Sequence, residues 1–181
     1  MPPRLAAVVV PVGLAGLLVA AAAAVSFAAS PRSALTLIGV ASLLAASTLA
    51  ERYPVPIDGI DTGGVSLGFV FCVATIVLYG WEAGVIVGFA GPIMHLIEHR
   101  PPVRVLYNAS VLSICGAAAA LAIEPLRGNS PELLLAQVGL AALVHFAVNL
   151  LLISLVVSVS SRKPFLEFAR SSVPITALPS R

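Results

Sequence analysis

Residues Leu5 to Ala29 run LAAVVVPVGLAGLLVAAAAAVSFAA, an apolar stretch with no charge between Arg4 and Arg32. A helix that crosses the hydrocarbon core of a bilayer needs about 20 such residues, so this stretch predicts a membrane helix. The rival is a cleaved signal peptide, since Ser26-Phe27-Ala28 resembles a small-residue cleavage site. Its apolar core would far exceed the roughly 7–15 residues of a signal sequence.

Five further apolar runs follow: Ala34–Ala50, Val65–Tyr79, Ala83–Ile97, Val105–Ile123 and Leu133–Ser161. The breaks between them hold the turn-forming and charged residues. Residues 51–64 contain Pro54, Pro56, Gly59, Gly63 and Gly64 and predict the longest loop. Glu98 to Arg104 and Glu124 to Glu132 form the other polar breaks. Trp81 stands where an aromatic belt would anchor a span. The fourth run is the shortest, and crosses only if the bilayer thins or Glu82 and Glu98 lie at the interfaces. Residues 1–161 thus form one transmembrane domain. Residues 162–181 form a tail whose Arg162, Lys163, Phe165, Phe168 and Arg170 favour an anionic lipid surface.

Composition agrees with this division. The chain is 59% hydrophobic and only 10% charged, with a mean hydropathy of +1.05, where a soluble domain carries about 25% charged residues. The net charge of +2 gathers into no basic stripe, which speaks against nucleic acid as a partner. Cys72 and Cys115 both fall inside apolar runs and are expected to pack as small apolar residues. Lys and Arg near the helix ends set the orientation. With the N-terminus inside, Arg4, Arg52, Arg100, Arg104, Arg162, Lys163, Arg170 and Arg181 are cytoplasmic, and Arg32 and Arg127 face out. The expected fold class is an all-α integral membrane bundle of about six transmembrane helices in the plasma membrane, with both termini cytoplasmic. The outward connections are short, so a ligand or signal would be small, lipid-borne or bound between helices.

Several residues stand out within this frame. Gly80, Gly84 and Gly88 recur every fourth position, with Gly91 close behind. Such spacing makes a smooth helix face that lets another backbone approach, either of a second copy or membrane partner, or of a neighbour in the same chain. His145 and Asn149 share a helix face near mid-membrane, where a polar ionisable group is costly and by default points to a function. A ligand or proton site, or a neutral histidine hydrogen-bonded to Asn149 or another helix, would both account for it. His95 and Asn108 lie at similar depth near the cytoplasmic side and are expected to share an inner-leaflet polar cluster. His95-Leu96-Ile97-Glu98-His99 matches the H-x-x-E-H arrangement of one zinc-peptidase class. A third ligand is missing, because His145 lies much deeper in its helix, so no metal is expected. Asp58 and Asp61 do not have the spacing of a calcium loop. No Ser-His-Asp order, phosphate-binding glycine loop or paired-cysteine metal motif is present, so neither enzymatic activity nor a cofactor is expected.

Two likenesses bear on function. Ala50-Glu51-Arg52-Tyr53-Pro54-Val55, Val65-Ser66-Leu67-Gly68-Phe69-Val70-Phe71, Tyr79-Gly80 and Arg100-Pro101-Pro102-Val103-Arg104-Val105-Leu106-Tyr107-Asn108-Ala109 resemble the multi-pass membrane region found ahead of HD-GYP phosphodiesterase and GGDEF diguanylate cyclase domains in bacteria. There an asparagine follows a basic, proline-containing turn and opens a helix, as Asn108 does. The resemblance, over about residues 35–125, implies a sensory input module that passes membrane signals to a cytoplasmic signalling enzyme. With no output domain before Arg181, it implies a separate partner or membership of a longer protein. The chain also resembles, in size, helix number and the stretch Gly63-Gly64-Val65-Ser66-Leu67-Gly68, the substrate-binding subunits of energy-coupling-factor vitamin transporters. That likeness would make Gly16, Ala20 and Ala24 of the first helix a docking face for a transmembrane partner. A non-catalytic accessory subunit is the third expectation.

Overall fold

The computed structural model describes residues 2–53, 55–56, 64–65, 67–97, 101–126, 128 and 130–161. Asp58, Asp61, Glu98, His99 and the tail 162–181 lie outside the described residues. The architecture is helical: α1 (Pro3–Ala29), α2 (Ala34–Arg52), α3 (Gly68–Tyr79), α4 (Trp81–Ile93), α5 (Pro102–Ile123) and α6 (Pro131–Ser161). Two 3₁₀ turns, Met94–Leu96 and Glu124–Leu126, continue α4 and α5. A two-residue antiparallel ladder of β1 (Val55–Pro56) and β2 (Gly64–Val65) lies between α2 and α3.

The helix starts follow from local chemistry. α1, α5 and α6 open on proline, which has no N–H to leave unpaired and has its φ already set for the first turn. α2 is capped by Ser33, whose hydroxyl accepts from the Thr36 N–H at 3.1 Å, and α6 by Ser130, which accepts from Leu133 at 3.4 Å. α3 begins at Gly68, later than its apolar run, because Gly64–Val65 is drawn into the ladder. α4 ends at Ile93, one residue after the internal Pro92, and the chain tightens into the 3₁₀ turn.

Four helices, α1, α2, α5 and α6, are long and apolar enough to cross a membrane. α3 and α4 have 12 and 13 residues, hence lengths of about 18 and 20 Å at 1.5 Å per residue. Neither matches a hydrocarbon core of about 30 Å. Of the six expected helices, four are thus long and apolar enough to cross by length and composition, and α3 and α4 form a short helical hairpin. Gly80 makes the hairpin: its φ of +93° with ψ of 176° is a conformation open essentially to glycine alone. The reversal brings residues equidistant from Gly80 together. Gly84 lies against Ile76, Gly88 lies against Cys72, and the Cys72 thiol donates to the Gly84 carbonyl at 3.3 Å.

α5 is the axis of the bundle. α1, α4, α3 and α6 each pack on it and, in that order, on one another, closing a ring, while α2 lies outside against α3 and α4. Half of the most apolar stretch of α5 is buried, against 11% in α1 and α2 and 17% in α6. Small residues permit this. Ala109, Ser110, Ser113, Gly116 and Ala119 are all buried and let neighbouring backbones approach from several sides. A Cβ on Gly16 of α1 would overlap the Ser110 backbone. Large apolar side chains point the other way, with Leu35 80%, Leu121 76% and Leu135 75% exposed. A small-residue interior under a leucine-rich exterior is the distribution expected where lipid is the solvent.

Candidate functional site

Polar side chains in the bundle are mostly paired with backbone carbonyls. Thr75 and Ser113 donate to the preceding turn of their own helices, at 2.6 Å to Phe71 and 3.0 Å to Ala109. Ser110 donates across to Gly13 of α1 at 3.1 Å, and the Tyr107 hydroxyl to Leu152 of α6 at 3.1 Å. Gln137 closes the α5–α6 connection by donating to the carbonyls of Leu126 at 2.8 Å and Gly128 at 3.0 Å.

His145 breaks this pattern. It is 1% exposed, and its Nε2 has no hydrogen-bond partner among the described residues. Phe69 of α3 faces it with ring centroids 6.1 Å apart and a 34° tilt. Asn149, one turn further along α6, is half-buried. No hydrogen bond among the described residues joins it to His145, so that expected pairing is not formed. Ser154 of α6 is likewise buried with an unpartnered hydroxyl. An amide or imidazole removed from water without a partner costs about 1–3 kcal/mol. His145 is thus a high-energy polar group, and the one imidazole among the described buried atoms that lack a partner, able to exchange a hydrogen bond or a proton with a small polar species.

The other expected residues fall in separate places. His95, in the 3₁₀ turn after α4, has its Nε2 3.8 Å from a Glu51 carboxylate oxygen of α2. Asn108 lines a groove between α1, α5 and α6. The His95 imidazole thus faces a carboxylate of α2, and the turn that carries it also packs on α5, the helix of Asn108.

The glycine face is also accounted for within the chain. Gly84 and Gly88 meet α3, Gly88 also meets the Leu112 carbonyl of α5, and Gly91 meets Ser47 and Glu51 of α2. All three are buried against helices of the same chain, and Gly80 is half-buried at the turn. Among the described residues, no three His, Cys, Asp or Glu side chains converge as metal ligands.

One polar cluster was not anticipated. At the Gly80 end of the bundle the Ser26 hydroxyl donates to Glu82 at 3.1 Å, and an Arg32 nitrogen lies 3.7 Å from the same carboxylate oxygen. The Arg32 guanidinium also stands 5.0 Å from the Phe27 ring centroid, within cation–π range. The cluster ties the α1–α2 connection to the first turn of α4. Sequence offered a faint signal, a lone Arg and a lone Glu each next to the end of an apolar run.

Compared with protein-family models, curated proteins and solved structures, the chain gave no match.

Proposed function

We propose that the chain is a multi-pass module of the bacterial plasma membrane, with both termini cytoplasmic, that serves as a non-catalytic input unit for a cyclic-dinucleotide signalling enzyme. The four long helices cross the bilayer, and the α3–α4 hairpin crosses with them where the bilayer thins locally around its short arms. The excess of Lys and Arg in the segments assigned to the cytoplasm supports this orientation.

The observation that carries this reading is the enclosed, unpartnered His145. It lies on α6, which continues without interruption to Ser161, about 24 Å further at 1.5 Å per residue. A small polar ligand or a proton gained at His145 would alter how α6 packs on Phe69 of α3. A continuous helix would carry that change to the cytoplasmic end. The sequence likeness to input regions ahead of HD-GYP and GGDEF domains points to the same class of output.

For the transporter-subunit reading, two residues of the docking face on α1 are used internally, since Gly16 lies against Ser110 and Ala20 packs with Val85 of α4 and Ala117 of α5, while Ala24 is exposed.

Cyclic-dinucleotide levels in cells expressing the full chain provide the test. Expression should shift the level by about fivefold or more, the low end of allosteric coupling, and His145→Leu at equal membrane abundance should abolish the shift. An unchanged level with the wild-type chain, or an identical shift with the variant, would sink the proposal.

A further inference from the structure

At the Leu5 end of the bundle, a groove of about 590 Å³ runs between α1, α5 and α6, well inside the roughly 300–1,000 Å³ of ligand clefts. Its walls are apolar, with Leu5 and Val9 from α1 and Ile153 and Val156 from α6. Its polar side is Arg104 and Asn108 of α5, one helical turn apart and so on one face. Arg104 is exposed in the first turn, and Asn108 is half-buried one turn deeper. Among the described residues no carboxylate pairs with Arg104. The Tyr107 hydroxyl is already committed to the Leu152 carbonyl, which leaves the groove's polar chemistry to the cation, the amide and the hydroxyl of Ser160 at its mouth. The positive end of the α5 dipole adds to the potential at Arg104.

We infer that this groove binds an anionic phospholipid of the inner leaflet. Its phosphate sits against Arg104, the Asn108 amide donates to an oxygen of the headgroup or ester region, and an acyl chain lies along Leu5, Val9, Ile153 and Val156. The mixture of chemistry selects this occupant. An exposed cation and an amide of α5 stand beside apolar side chains of α1 and α6 at similar depth, as the Ser110–Gly13 and Tyr107–Leu152 hydrogen bonds align these helices, which suits a phosphate joined to hydrocarbon. A soluble anion would leave the apolar walls unused. An apolar partner helix would bury Arg104 without a counter-charge, which is strongly unfavourable. The inference rests on membrane insertion and not on the signalling role, so either can fail alone.

Native mass spectrometry of the full chain in neutral detergent tests it, with dioleoylphosphatidylglycerol set against dioleoylphosphatidylcholine. One phosphatidylglycerol should be retained about fivefold over phosphatidylcholine, the effect of one basic side chain on an anionic lipid. Arg104→Gln should bring the two lipids to parity at an unchanged melting temperature, and Val156→Trp should expel both. Equal retention of the two lipids by the wild type, a preference that survives Arg104→Gln, displacement by inorganic phosphate, or a lipid-free dimer would overturn it.

Discussion

His145 presents a choice between two roles that make opposite predictions for stability. A histidine that anchors the fold through hydrogen bonds would destabilise the bundle when removed. Here the Nε2 is buried without a partner among the described residues, so exchanging the ring for an apolar side chain of similar bulk removes a desolvation penalty. His145→Leu is therefore expected to leave the chain equally stable or more stable, by about 1 kcal/mol, as read from thermal unfolding in detergent. A fall of comparable size would mark His145 as a structural anchor. The residue itself was legible in the sequence, because an ionisable side chain in an uncharged apolar run is conspicuous. Its partners were not. Asn149 was the nearest candidate along the helix, yet Phe69, far away in sequence, is what faces the ring. The same blindness hid the link from Ser26 to Glu82, 56 residues apart. Such pairs are set by which helices are neighbours, and local spacing carries no record of that.

At the scale of the element, the α3–α4 hairpin shows how a motif visible in sequence acquires its meaning only from packing. The glycine spacing of Gly80, Gly84 and Gly88 was readable, and so was the close approach it permits. Which backbone approaches was left open, and the tight turn at Gly80 decides it by folding α3 onto α4. A Cβ at Gly84 would overlap the Ile76 side chain, and a longer side chain has nowhere to go between two buried helices. Gly84→Leu should lower stability by about 1–3 kcal/mol, the usual cost of overpacking. Gly13→Leu, at a position with open space around its Cβ, serves as the control. Equal unfolding midpoints for the two variants would mean that the hairpin is not packed as described. The long helices were legible to within a few residues at their ends, since length and apolarity define them. The central position of α5 was not, because hydropathy does not record whether an apolar side chain points into the bundle or out of it. The clue that distinguishes α5 is its density of small residues, which hydropathy ignores.

For the whole molecule, the decisive property is an exterior rich in exposed large apolar side chains, while the charged residues among those described stand at helix ends. The chain's two cysteines make this arrangement testable without background, because Cys72 and Cys115 are both free and buried. In the folded wild-type chain neither thiol should react with a membrane-impermeant maleimide over a period in which the detergent-denatured chain is fully labelled. An introduced thiol then reports its own position. Pro31, exposed in the α1–α2 connection, lies at the Gly80 end with Ser26 and Glu82. Ser160, exposed near the end of α6, lies at the Leu5 end beside the groove. If basic residues hold the Leu5 end in the cytoplasm, Pro31→Cys is labelled in intact cells and Ser160→Cys only after permeabilisation. The reverse pattern would turn the bundle over, and labelling of both from outside would remove the bilayer from between them. Either result would also displace Arg104 from the inner leaflet, because its groove and Ser160 share one end of the fold.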